Sequence, residues 1–82
     1  AWSVDWPWVA TQWLEKEFNF GHAIGFAVEI ANRKTGERRR NAVRLLRPST
    51  DQPRTEARAI ARRILRTWAE EFTGQAIVWP RS

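Results

Sequence analysis

Between residues 22 and 46 the chain alternates with a period of two on both sides of a turn signal, and a β-hairpin is the element that satisfies this pattern. In HAIGFAVEI, Ile24, Phe26, Val28 and Ile30 fall on one face and Ala23, Gly25, Ala27 and Glu29 on the other, as in a half-buried strand. NRKTGE follows, where Asn32 and Gly36 tolerate positive φ, so the expected connection is a type I turn closed by a glycine bulge. The return strand, Arg38 to Leu46, puts Val43 and Leu45 on the face of Ile24, Phe26 and Val28. Arg40 and Arg44 are thereby turned outward beside Gly25 and Ala27.

The rest of the chain arranges itself around this hairpin. RPSTDQPR, with two prolines, is a loop, and Thr55 to Thr73 then carries Ala57, Ile60, Ala61, Ile64, Leu65, Trp68 and Phe72 at helical spacing, capped by Thr55 or Asp51 and ended by Gly74. Before the hairpin, Trp2, Val4 and Trp6 alternate with polar residues as a short strand. Pro7 then opens a stretch in which Trp6, Val9, Ala10, Trp13, Leu14 and Phe18 recur at three and four residues, which predicts a helix reaching Asn19 and Gly21. Ala76 to Trp79, stopped by Pro80, reads as a last edge strand. The expected architecture is a single two-layer α+β domain spanning 1–82, an antiparallel sheet with two helices on one face in the order βαββαβ, a ferredoxin-like order.

A chain of 82 residues buries about 60–65% of its unfolded surface, so a stable core needs large side chains. Six tryptophans and four phenylalanines supply them, each able to bury roughly 150–250 Å². Cysteine is absent, no apolar run is long enough for a membrane span, and the first residues lack the layout of a secretion signal. The expectation is a cytoplasmic protein without a membrane partner.

Function classes are then narrowed mainly by missing chemistry. His22 is the sole histidine and reads as a turn residue; with no cysteine and three serines there is little material for nucleophilic catalysis. The carboxylates are scattered apart from Glu15 with Glu17 and Glu70 with Glu71, the glycines lie too far apart for a phosphate loop, and FGHAIG has no lysine. No enzyme activity, metal or cofactor is expected.

What is present is basic charge. Residues 23–66 hold twelve cations against Glu29, Glu37, Asp51 and Glu56, while both flanks are net acidic; twelve of the fourteen cations in the chain are arginine, whose planar fork suits phosphate and carboxylate. Arg58, Arg62 and Arg66 recur every four residues on the predicted helix, a like-charged ridge that an external anion would relieve. FAVEIANRKTGERRRNAVRLL followed by TEARAIARRIL resembles the AP2-like, arm-type DNA-binding domains of tyrosine integrases, which place a strand, a glycine turn, a basic strand and an amphipathic helix in this order. The resemblance covers roughly residues 23–72. It implies that the sheet enters the major groove, with Arg38, Arg40 and Arg44 at the interface and Lys34 near the turn.

From the charge pattern and the resemblance together, the expected role is binding of nucleic acid, double-stranded DNA favoured, through Lys34, Arg38, Arg39, Arg40, Arg44, Arg58, Arg62 and Arg66 converging on one surface. The alternative is a non-enzymatic interaction protein, an accessory factor of phage or plasmid type or a homodimer, that uses tryptophan and arginine as anchors. An RNA-recognition sheet is disfavoured because Arg38 to Leu46 offers no aromatic ring for a base to stack on.

Overall fold

A computed structural model describes residues 6–47, 49 and 51–79. Three strands, β1 (Trp8–Phe18), β2 (Ala23–Asn32) and β3 (Arg38–Leu46), form an antiparallel sheet in the order β1-β2-β3, and one helix, α1 (Arg54–Thr73), covers one face of it. The order is therefore βββα, and the expected βαββαβ arrangement with two helices is overturned. The predicted first strand falls largely on residues 1–5, outside the described residues. Residues 76–79 form no strand, so the expected last edge strand is absent among the described residues, and Pro80 is also outside them.

The predicted first helix is strand β1 because of a bulge. Ala10 pairs with Ile30 and Gln12 with Glu29, so Thr11 is an extra residue in the ladder and the phase of alternation slips by one. Trp8 and Ala10 before the bulge, and Trp13 after it, consequently face the same side. The three-residue step from Ala10 to Trp13 imitates a helical period that does not exist. Val9, Leu14 and Phe18, counted into the same stripe, lie on the opposite side of the sheet.

β2 is the central strand and its composition explains why. Ile24, Phe26, Val28 and Ile30 are buried almost completely against α1, each contributing roughly 1.5–3 kcal/mol of apolar burial. From the helix, Ala57, Ala61, Leu65 and Ala69 meet them at intervals of four; three alanines on this line let the helix axis approach the sheet closely. The rest of the expected stripe is less covered, with Ile60, Ile64 and Phe72 nearly half exposed, since a three-stranded sheet is too narrow to reach both flanks of the helix. Trp13 lies 5.8 Å from Phe26 and 5.6 Å from Trp79, and Trp8 meets Phe72 edge-on at 5.7 Å, which seals the β1 side of the core with rings. Of the five described tryptophans, only Trp6 is exposed.

The helix ends differ in how they are capped. Gly74 takes the left-handed conformation at φ 71°, and its N–H donates to the Glu70 carbonyl at 2.8 Å. At the start, neither Thr55 nor Asp51 caps: Pro53 occupies the N-cap position, and Gln52 instead donates from its amide to Glu56 at 2.8 Å.

Candidate nucleic-acid interface

The register of the hairpin decides which arginines share a surface. Val43 stands opposite Phe26 and Leu45 opposite Ile24, on the helix side, so Arg38, Arg40, Ala42, Arg44 and Leu46 are all sent to the face that α1 leaves open. β1 adds Gln12, Leu14, Lys16 and Phe18 to the same face, through pairing with Glu29, Ala27, Gly25 and Ala23. Across the three strands this face carries four cations (Lys16, Arg38, Arg40 and Arg44) and one carboxylate, Glu29.

The centre of the face is a depression of about 370 Å³ with a floor of small residues, Gly25, Ala27 and Ala42, walled by Leu14, Phe18 and Arg44. Gly25 makes room for the Phe18 ring: a Cβ built on it would lie 2.9 Å from Cε2 of Phe18, so a larger residue there displaces the ring. Cations flank that ring, the Arg44 guanidinium at 4.4 Å and Lys16 Nζ at 5.3 Å from its centroid. At the other end, Glu29 is shared by Arg38 at 3.0 Å and Arg40 at 3.4 Å, and Thr11 donates its hydroxyl to the same carboxylate at 3.2 Å. Burial alone would raise the Glu29 carboxyl. Thr11, Arg40 and Arg38 outweigh it and hold the group below the ordinary carboxylate range. Because the two arginine side chains remain 70% and 60% exposed, these are pairs that a phosphate could replace.

At the turn of the hairpin, Gly36 takes the positive φ expected of it, whereas Asn32 does not and acts through its side chain. Gly36 sits at φ 77°, its N–H donating to the Asn32 carbonyl, while Asn32 Oδ1 accepts from the N–H groups of Lys34 and Thr35 at 2.8 and 3.1 Å. Lys34 is exposed at this tip, in the turn that leads into β3.

The remaining sequence-predicted residues lie in the helix layer. Arg39 points to the α1 side, pairs with Glu37 at 2.5 Å and lies 5.9 Å from the Phe72 ring. Arg58 grips Glu15 on β1 through Nε and, at 2.9 Å, through its terminal nitrogen. Arg62 lies over Trp13 at 5.5 Å and Arg66 over Trp79 at 5.6 Å. The single surface expected of hairpin and helix is thus not formed. The apolar stripe that docks α1 on the sheet carries the arginine ridge to the β1 flank, on the other layer from Arg38, Arg40 and Arg44. Sequence reasoning missed the residues that β1 brings to the open face, Gln12, Leu14, Lys16 and Phe18, because it read them as part of a helix.

Both sheet edges are partly blocked. Gln75 exchanges hydrogen bonds with the backbone of Trp8 at 3.1 and 2.9 Å, and Ala10 N–H donates to Val78 at 3.2 Å, which occupies the β1 edge. On β3, Asn41 Oδ1 accepts from the Ala42 N–H at 2.9 Å and Arg39 donates to the Arg38 carbonyl at 2.8 Å, so that side chains occupy groups an added strand would use. A partner is better received by the open face than by an edge.

Among the described residues, no group of His, Cys, Asp and Glu could hold a metal ion, and no helix is long and apolar enough to cross a membrane. No protein-family model, curated protein or solved structure matches the chain.

Proposed function

We propose that this chain is a nucleic-acid-binding domain that lays the open face of its sheet, with the β2–β3 turn, on duplex DNA. The observation that carries this reading is the four-to-one excess of cations over carboxylates on an uncovered sheet face with a floor of small residues. Arg38 to Arg44 spans about 20 Å along β3, or about six base-pair steps, so arginines on one strand reach successive phosphates or guanine edges. Small residues between them allow the backbone to come close to the groove. The resemblance of residues 23–72 to arm-type domains supports the same reading. The binding residues in this reading are Lys16, Lys34, Arg38, Arg40 and Arg44. The helix-layer residues Arg39, Arg58, Arg62 and Arg66 fall outside the footprint.

The test is fluorescence anisotropy of a labelled mixed-sequence duplex across a salt series. Binding should weaken steeply with salt, and replacing Arg38, Arg40 and Arg44 together by alanine should flatten the log–log slope by roughly 0.9 for each phosphate no longer neutralised. Arg63→Ala, on the exposed side of α1, should leave the slope unchanged. An absence of binding at low salt, or binding indifferent to salt, refutes the proposal. The competing reading, a protein partner or second copy, is favoured by the exposed Phe20, Leu46, Ile60 and Ile64; a dimer in sedimentation would support it.

A further inference from the structure

The β1–β2 connection presents an aromatic ring with no compensation inside the fold. Phe20 is 101% exposed and takes the left-handed conformation at φ 55°, ψ 34°, which disfavours any side chain with a Cβ and a bulky one more so. Asn19 before it is also left-handed, at φ 51°. The strain is held in place. His22 N–H donates to the Asn19 carbonyl at 3.0 Å, Arg47 N–H to the His22 carbonyl at 2.6 Å, and the largely buried Arg47 guanidinium to the Gly21 carbonyl at 2.9 Å and the Gln52 carbonyl at 3.3 Å. A bulky apolar group fixed in a strained, solvated turn is the kind of local outlier that functional sites retain.

Its neighbourhood indicates what it meets. Leu46, 81% exposed, stands opposite Ala23 at the same end of the open face, and the next row across the sheet is Lys16, Gly25 and Arg44. The carboxylate of that face, Glu29, lies two rows further on, and the carboxylate nearest this end, Glu17, sits on the helix side of β1, where Arg54 pairs with it at 2.5 Å and Arg47 approaches to 4.0 Å. An apolar tip beside cations is complementary to a polyanion with an apolar interior, namely stacked bases within a phosphate backbone.

We propose that Phe20, in the β1–β2 connection at the Leu46 end of the sheet, is an apolar wedge that enters a base step when the open face lies on duplex DNA, so that the protein unstacks and bends its DNA. This rests on the nucleic-acid reading above and adds a mode of binding to it. Arg47 is the positioning residue that keeps the turn in place.

The experiment uses the full chain and a short duplex with 2-aminopurine at a central TA step, the step that yields most readily. Binding at low salt should raise 2-aminopurine fluorescence and shorten the end-to-end distance in an energy-transfer version of the same duplex. Phe20→Gly relieves the left-handed strain and so preserves the fold; it should bind about tenfold more weakly, with the salt slope unchanged and the fluorescence rise lost. Phe20→Leu should keep most of the rise. Steep, salt-dependent binding by the wild type without any rise, or a rise that survives in Phe20→Gly, overturns the wedge and leaves the sheet-face reading standing. A wild type that binds no duplex at low salt overturns both, as would a dimer dissolved by Phe20→Gly, which would assign the tip to a second copy.

Discussion

Glu15 offers the sharpest test of how the two layers are joined. It stands on β1 opposite Phe26, on the helix side, with its side chain 15% exposed. Arg58 donates to both of its oxygens, Trp13 Nε1 donates at 2.9 Å, and Arg54 approaches to 3.8 Å. The Arg58 hydrogen bonds, against an opposing effect of burial and with help from Trp13 and the charges of Arg58 and Arg54, lower its carboxyl from 4.5 to about 2. At about 1.4 kcal/mol per unit the full shift would correspond to roughly 3 kcal/mol. Water reaches the outer side of both arginines, and screening reduces the expected contribution to about 1–2 kcal/mol. A folded-state value below the unfolded one stabilises above the unfolded value, so this contribution is complete above pH 4.5 and is lost as pH falls through about 2. Glu15→Gln should therefore be about 1–2 kcal/mol less stable than the wild type at pH 7, and the gap should close on acidification because protonated Glu15 resembles glutamine. Urea unfolding followed by tryptophan fluorescence measures both ends of the window, and a double-mutant cycle with Arg58→Met isolates the pair. A gap equally large at pH 7 and at pH 2.5, or a coupling below about 0.5 kcal/mol, would refute the reasoning.

Other positions give independent checks. Gly25→Ala forces the Phe18 ring off the sheet and should cost about 1–3 kcal/mol, read as a lower urea midpoint, with a loss of the Arg44 stack. Phe26→Ala removes the largest fully buried side chain and should cost about 3–5 kcal/mol, a large part of the roughly 4–12 kcal/mol expected for a chain of this length, so its thermal transition should fall to near ambient temperature. Glu29→Gln takes the carboxylate off the open face and should tighten duplex binding about threefold in anisotropy at low salt; weaker binding would place the DNA elsewhere.

The hairpin and the long helix are legible in the sequence because each is a local pattern. Period two from Ala23 to Ile30 and from Arg38 to Leu46, with Gly36 between, leaves little choice of register, and the line of Ala57, Ala61, Leu65 and Ala69 has a helical period of its own. β1 is not legible in this way. Its bulge at Thr11 breaks the alternation, and its strand character comes from pairing with residues that lie up to 24 positions away, as Trp8 does with Asn32. Misreading β1 as a helix also hid part of the site. On a helix, Glu15, Lys16 and Glu17 look like a solvated surface; on a strand they alternate, sending Lys16 to the open face and the two carboxylates towards Arg54 and Arg58. The separation of hairpin and helix arginines, by contrast, follows from a register that is legible in the sequence. With Val43 and Leu45 facing inward and the helix docked on that face, Arg40 and Arg44 lie on the side the helix leaves open, and the expected convergence conflicts with that register.

The arginines consequently divide by what stands opposite them. In the helix layer, Arg54 and Arg58 meet Glu17 and Glu15, and Arg62 and Arg66 meet indole rings, so the like-charged ridge that on an isolated helix would repel itself is met by acids and aromatic faces of β1 and the C-terminal segment. An external anion is not needed to relieve it. On the open face the balance runs the other way: among the described residues, Arg38 and Arg40 divide a single carboxylate, and Arg44 has an aromatic face but no acid. Two ion pairs to one Glu29 cannot both be neutralised, and their exposed guanidinium groups lose little when a phosphate takes its place. The same residue type thus closes the two layers on one side and leaves charge uncompensated on the other, and it is the second group that a polyanion would engage.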